Sequence, residues 1–284
     1  MSPPAAGLPH PLTGQEFPSP VPAGTGWPED PASPDTPVAK GAGGVQRLAR
    51  TDDLAELDAR VSVCRACPRL VRWREDVAVT KRASFAAQPY WGRPIAGWGS
   101  PTPRIVIIGL APAANGGNRT GRVFTGDSSG DWLFASLFRT GLAVQPTSVH
   151  AGDGQALVDT RMVATVRCAP PQNKPTPDER DTCAPWLLRE LELVLPSLEV
   201  VVSLGSYGWD AALRALKLVG FTVPKPKPRF GHAAEAVLAG QASSVTLLGS
   251  YHPSQHNTFT GRLTPQMMDD VFRRAGELVG HSSA

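Results

Sequence analysis

The chain has 284 residues, of which 41% are hydrophobic and 19% charged, and its formal net charge is +3 at neutral pH. No run approaches the roughly 18 apolar residues of a membrane span, and no basic segment followed by an apolar run opens the chain. We therefore expect a cytoplasmic protein with neither a membrane span nor a signal peptide.

Residues 1–45 differ in composition from the rest of the chain. They contain eleven prolines and seven glycines and few aliphatic side chains. Such a segment cannot bury enough apolar surface to fold. We therefore predict a disordered tail over residues 1–45 and a single folded domain over residues 46–284. The tail has four acidic side chains and one lysine, so the domain is modestly basic, which is compatible with a polyanionic partner.

The four cysteines are spaced like metal ligands. Cys64 and Cys67 form a C-x2-C motif, Cys168 follows a predicted strand, and Cys183 lies further along the chain. Zinc ribbons usually close with a second C-x2-C motif, which this chain lacks. From the spacing alone, an iron–sulfur cluster, a zinc site and unliganded core cysteines all remain open.

Residues 104–127 read RIVIIGLAPAANGGNRTGRVFTGD and are rich in potentially functional side chains. The Ile/Val run at 104–110 predicts a strand buried on both faces, followed by a loop where open α/β sheets bind ligands. Arg119 and Arg122 supply charge-assisted donors for phosphate. A nucleotide-hydrolase phosphate loop is excluded, because Arg122 and Val123 replace the Lys-Ser/Thr pair of that motif.

Strands and helices alternate over the domain. The predicted strands are 104–110, 161–166, 198–204 and 244–248, and the predicted helices are 52–63 (capped by Thr51), 131–140, 179–195, 206–218 and 265–280. This alternation predicts a three-layer α/β/α domain around a largely parallel sheet. The loops after the first and last strands then meet at the carboxyl edge of the sheet.

Three segments together resemble the family 5 uracil-DNA glycosylases. They are the central motif GLAPAANGGNRTGRVFTGD, RCAPPQNKPTP at residues 167–177 and HPSQHNTFTGRLT at residues 252–264. The resemblance covers residues 49–280 and departs at Asn115, where relatives more often carry histidine. It implies a four-stranded sheet in the order 2-1-3-4 and a [4Fe–4S] cluster on the four cysteines. It also implies hydrolytic release of uracil from DNA, which leaves an abasic site in base excision repair.

The resemblance further implies roles for individual residues. His252 donates a hydrogen bond to the base carbonyl that gains charge, and Phe124 stacks on the extracted ring. Asn118 positions the attacking water, with Asp127 as the alternative. The predicted base pocket also includes Ala111 and Ala164. Contacts to DNA phosphate are predicted for Arg119, Arg122, Ser254 and Arg262.

Ala164 bears on the substrate range. The related family 4 enzymes carry an asparagine on the second strand that contacts the uracil edge, and alanine offers no such hydrogen bond. We therefore expect a looser pocket that also accepts hypoxanthine and other deaminated bases. No lysine stands where a Schiff base is expected, so the enzyme is predicted to be monofunctional. The expected partner is uracil-containing DNA, double- or single-stranded, bound by a monomer.

Two other classes compete with a glycosylase. One is a cluster-bearing nucleic-acid-binding protein of the same fold without catalysis, which Asn115 in place of histidine keeps open. The other is a flavodoxin-like redox module.

Overall fold

A six-stranded mixed sheet lies at the centre of the structure, a computed structural model that describes residues 7–241 and 243–281. In chain order the strands are β1 (Leu8–Pro9), β2 (Glu16–Phe17), β3 (Trp98–Gly99), β4 (Ile105–Gly109), β5 (Thr160–Ala164), β6 (Val200–Leu204), β7 (Glu235–Ala239) and β8 (Ser244–Ser250). β1 and β2 form a separate hairpin. The others lie in the order β3-β5-β4-β6-β8-β7.

The α/β class is confirmed, but the predicted four-stranded sheet is wrong in its number of strands. The four parallel strands β5-β4-β6-β8 are flanked by β3 and β7, which run antiparallel to their neighbours. β3 has two residues, and β7 is mostly exposed at the sheet edge, so neither has a continuous apolar run. Every residue of β4, β5 and β6 is buried, which explains why those strands were recognisable.

Helices cover both faces of the sheet. In chain order they are α1 (Ala42–Leu48), α2 (Leu54–Ser62), α3 (Pro68–Thr80), α4 (Gly117–Thr120), α5 (Ser128–Arg139), α6 (Pro177–Val194), α7 (Ser206–Leu218), α8 (Gln255–Phe259) and α9 (Pro265–Leu278). Ile107 of β4 packs in the core formed with α5 and α9, and Ile108 in the core formed with α6 and α7. Among the described residues, no helix is long and apolar enough to cross a membrane.

The N-terminal segment corrects the prediction of a disordered tail. Residues 1–6 lie outside the described part of the chain, but residues 7–45 pack against the domain. Phe17, Val21 and Trp27 are at most 2% exposed, and Val45 of α1 is fully buried. The segment has few aliphatic residues, and the prediction of disorder rests on that scarcity. The segment is nevertheless ordered, because a few large side chains bury apolar surface against the domain.

We expect Phe17→Ala to lower the free energy of unfolding by about 3–5 kcal/mol, because it deletes a buried aromatic ring. The measurement is urea unfolding of the full chain. Leu12→Ala is the matched control in the same segment, since Leu12 is 46% exposed. Equal stability of the two variants contradicts the packed segment.

Candidate active site

The loops that follow β4 and β8 meet at the carboxyl edge of the sheet. The rings of Phe124 and His252 have centroids 6.4 Å apart and are tilted by 42°. β6 lies between the two strands, and a Cβ on the following residue, Gly205, would lie 3.5 Å from Cβ of His252. Three strand ends therefore converge where open α/β sheets place their ligands.

His252 presents an imidazole at this edge. Its carbonyl oxygen accepts hydrogen bonds from Asn257 Nδ2 and Ser254 N, both at 2.8 Å, which shapes the turn that carries it. Burial lowers the pKa of the imidazole below its usual value, and the nearby Asp127 carboxylate opposes part of this effect. The ring is therefore neutral at neutral pH and carries one N–H that can donate to a ligand.

Phe124 lies across the end of β4. A Cβ on Gly109 would lie only 2.4 Å from Cζ of the ring, so the ring occupies space that a glycine leaves. Ala164 pairs with Gly109 in the sheet and is buried in the apolar cluster against which Phe124 packs. Phe124 and Ala111 are both partly exposed, so the ring retains an accessible surface beside the strand end.

The structure separates the two candidates for water placement. The side chain of Asn118 is buried, and its Nδ2 donates to the carbonyl oxygen of Arg74 on α3 at 3.1 Å. The amide group is thus directed towards α3. This placement does not support the prediction that Asn118 positions the water.

Asp127 stands at the site instead. Its Oδ1 caps α5 by accepting from Gly130 N at 3.0 Å. A Cβ on Gly116 would lie 2.2 Å from its Oδ2, so the carboxylate is closely covered by this glycine of the central loop, residues 110–127. The charge of Asp127 also acts on His252. Helix capping and a role at the site are therefore compatible for this residue.

Arg119 corrects a prediction, because its guanidinium is buried and does not face solvent. It donates to Asn115 O at 2.9 Å, Gln88 Oε1 at 2.9 Å and Gly126 O at 2.8 Å, and stacks over the Phe85 ring at 4.0 Å. These bonds join the two ends of the central loop. The residue organises the loop and is not placed to contact phosphate.

Arg122 requires the same correction. Its side chain is fully buried and pairs with Glu29 of the N-terminal segment and with Asp153 at 2.7 Å. It also donates to Ser148 Oγ at 2.9 Å and stacks over Trp98 at 4.4 Å. The sequence shows Arg122 but does not show that Glu29 and Asp153, which lie far from it along the chain, pair with it.

The loop after β8 carries the exposed candidates. Ser254 caps α8, and Arg262 is exposed with its guanidinium 4.6 Å from the Tyr251 ring centre. Phe259 at the end of α8 is 80% exposed, which is unusual for this residue type. Sequence reasoning missed Phe259, although an aromatic residue within a polar loop was the available signal.

Asn115, the departure from the family motif, is held in place by Tyr90. The Tyr90 hydroxyl donates to Asn115 Oδ1 at 3.0 Å. The same hydroxyl oxygen accepts from Arg82 N at 3.4 Å. The contact connects the central loop to the segment after α3.

The four cysteines line one pocket between the start of α3 and the β5–α6 connection: Cys64, Cys67, Cys168 and Cys183. Burial and the neighbouring thiols raise the pKa of Cys67 to about 12. The buried Arg74 guanidinium donates to Cys168 Sγ at 3.1 Å. Within the described residues, no three His, Cys, Asp or Glu side chains are arranged to hold a single metal ion.

The family model of the Uracil DNA glycosylase superfamily matches residues 96–276, which span the sheet and both loops. The chain is thus a member of this class of DNA repair enzyme. Relatives refine this class. A type-5 uracil-DNA glycosylase of Mycobacterium tuberculosis is 57% identical over 272 residues, or 95% of this chain and 99% of the relative.

A type-5 enzyme of Thermus thermophilus is 48% identical over 220 residues, or 78% of this chain and 95% of its own length. A type-4 enzyme of Archaeoglobus fulgidus is 27% identical over 190 residues, covering 66% of this chain and 82% of the relative. The chain belongs to the type-5 uracil-DNA glycosylases of this superfamily, which confirms the family inferred from its motifs.

Arg122→Ala should lower the free energy of unfolding by about 3–5 kcal/mol, because it leaves the carboxylate of Asp153 without its buried partner. Arg262→Ala should instead leave stability unchanged and reduce the salt dependence of DNA affinity by about one unit of slope. Urea unfolding and DNA titrations at several salt concentrations measure both effects. A stable Arg122→Ala protein with a reduced salt slope restores the phosphate assignment.

Proposed function

We propose that this protein removes uracil from DNA by hydrolysing the N-glycosidic bond, and leaves an abasic site for base excision repair. The observation that carries the proposal is the placement of Phe124 and His252 side by side at the carboxyl edge of the sheet, with the charge of Asp127 acting on His252. The activity named for the type-5 relatives supports it.

Each of the three side chains meets one need of the reaction. Phe124 stacks on the extracted base, and His252 donates a hydrogen bond to the carbonyl oxygen on which negative charge develops as uracil leaves. A neutral imidazole suffices, because a donor aimed at the developing charge stabilises the transition state more than the ground state. Asp127 Oδ2 orients the water that attacks C1′, and its charge favours the cationic sugar.

The loop after β8 supplies contacts to the DNA itself. Ser254 and Arg262 are the proposed phosphate contacts, since both belong to this loop and Arg262 is exposed. Phe259 is the proposed wedge that enters the base stack when the uracil leaves it. The substrate is then uracil-containing DNA in double or single strands, bound by a monomer at the nucleoid of the cytoplasm.

The proposed substrate range extends beyond uracil. Ala164 carries no hydrogen-bonding group where an edge-specific pocket needs one, and Ala111, which follows the end of β4, is equally small. Discrimination against other deaminated bases is therefore weak. Release of hypoxanthine from an inosine-containing duplex tests this range, and its complete absence contradicts it.

We also propose a [4Fe–4S] cluster held by Cys64, Cys67, Cys168 and Cys183. The donor set fits, because four thiols line one pocket and Arg74 offsets negative charge there. The indole of Trp186 lines the same pocket and is fully buried. The cluster would act structurally, by joining the start of α3 to the β5–α6 connection.

His252→Ala should lower the single-turnover rate on a uracil duplex by about 10²–10³-fold, the scale for losing one donor to a developing anion, with little change in DNA affinity. Asp127→Asn retains a helix-capping side chain but removes the charge, and should cost about 10–100-fold. His256→Ala is the control on the same loop. Loss of affinity with wild-type chemistry in His252→Ala makes this histidine a docking residue.

Phe259→Ala should slow excision from duplex DNA by about ten-fold, because the wedge offsets part of the unstacking cost, and leave single-stranded substrate unaffected. Phe138→Ala is the control, since Phe138 is 46% exposed on α5. Equal slowing on both substrates argues against a wedge.

Anaerobically purified protein should contain about four iron atoms and four sulfides per chain. Cys168→Ala should lose this iron and unfold more readily, whereas Arg74→Lys should retain iron with reduced stability. Elemental analysis that finds stoichiometric zinc and no iron contradicts the cluster.

A further inference from the structure

We infer that the N-terminal segment positions the base-stacking side chain Phe124, through a chain of contacts that begins at Glu29. The inference rests on the proposed role of Phe124. The Glu29 carboxylate accepts from Arg122 Nε at 3.1 Å and from Gly152 N at 2.9 Å. Arg122 is two residues before Phe124, so Glu29 contacts the central loop close to the stacking residue.

The contacts continue to both sides of Phe124. Arg122 Nη1 donates to Ser148 Oγ at 2.9 Å, and Ser148 Oγ forms a 2.8 Å hydrogen bond with Thr125 Oγ1. Gly126 N donates to Ser148 O at 3.1 Å. The loop is therefore tied to Ser148 before and after Phe124, which restricts where the ring can lie.

The backbone is strained at Phe124 and at Glu29, the two ends of this chain of contacts. Phe124 has φ = 52° and Glu29 has φ = 62°, in the left-handed region that residues with a Cβ rarely adopt. Such conformations persist where the surroundings determine them, and they are concentrated at functional sites. The segment is thus held in an unfavourable conformation at the residue that contacts the loop.

Packing around Glu29 reinforces the ionic contact. A Cβ on Gly121 would lie 2.7 Å from Nε1 of Trp27, and a Cβ on Gly152 would lie 2.6 Å from Cβ of Pro28. Trp27 and Pro28 thus fill space left by two glycines. The match to the superfamily model begins at residue 96, so residues 27–29, which support the loop, lie outside the matched domain.

The test compares Glu29→Gln with Asp30→Asn. Both variants remove one charge from adjacent positions of the segment, but Asp30 binds Arg93, which contacts Ser62 of α2. Glu29→Gln should lower the single-turnover rate on a uracil duplex about ten-fold, with DNA affinity unchanged within about two-fold, because displacement of a reacting group reduces the rate more than binding. Asp30→Asn should retain the wild-type rate.

Hydrogen exchange provides the readout that general destabilisation does not reproduce. The amide of Gly126 should exchange faster in Glu29→Gln and not in Asp30→Asn, because its acceptor is Ser148 O. Glu29→Asp, which keeps the charge and shortens the side chain, should show an intermediate rate and serves if Glu29→Gln does not fold. Equal rates and equal Gly126 exchange in the Glu29 and Asp30 variants overturn the inference.

Phe124→Ala separates this inference from the proposed function. If Phe124→Ala lowers the rate and the Glu29 variants do not, Glu29 does not position Phe124, and the stacking role of Phe124 stands. If Phe124→Ala retains the wild-type rate, the stacking role is wrong, and the inference that rests on it is overturned too.

Discussion

The geometry of the site depends on the ion pairs that the buried guanidinium of Arg122 forms. Its positive charge is fully buried, which is tolerable only because Glu29 and Asp153 neutralise it and Ser148 accepts a hydrogen bond. These acceptors come from two other parts of the chain, so burying one charge also orders the segments that supply them. Arg119 has the same effect within the loop, where it bonds to carbonyl oxygens at both ends.

A second buried ionic network supports the cysteine pocket. Glu190 of α6 pairs with Arg161 and Arg167, and Arg161 also binds Asp58 of α2. Burial raises the pKa of Asp58 to about 6, against the opposing effect of Arg161. Because Arg167 directly precedes Cys168, the network that joins β5 to two helices also orients a cysteine of the pocket. One network of paired charges thus lies beside the cysteine pocket, and a separate network holds the loop that carries Phe124.

The structure also shows how one strand serves two cores. Successive residues of β4 point to opposite faces, so Ile107 and Ile108 are buried against different pairs of helices. The strand ends at Gly109, where the absence of a side chain admits the ring of Phe124. Ile107 and Ile108, which pack in the two cores, therefore directly precede the position where the proposed base-stacking ring lies.

Much of the fold could be predicted from local patterns. The parallel strands and the helix at residues 206–218 follow from apolar periodicity, which acts over a few positions. The predicted cap Thr51 is wrong, because the side chain of Asp53 accepts the first amides of α2. α3 was not predicted although Pro68 stands at its first position, because the charged residue Arg74 interrupts the apolar periodicity of its buried face. β7 was missed because an edge strand needs only one covered face.

Local patterns identify the family, the strands buried on both faces, and the motif residues His252, Phe124 and Asp127, because motifs and short-range periodicity depend on adjacent residues. The folded chain alone shows that Asn118 faces α3, that Arg119 and Arg122 are buried, and that residues 7–45 pack on the domain. Each of these outcomes depends on partners distant along the chain, such as Glu29 for Arg122. The burial and pairing of a charge are properties of the folded arrangement, and no local pattern encodes them.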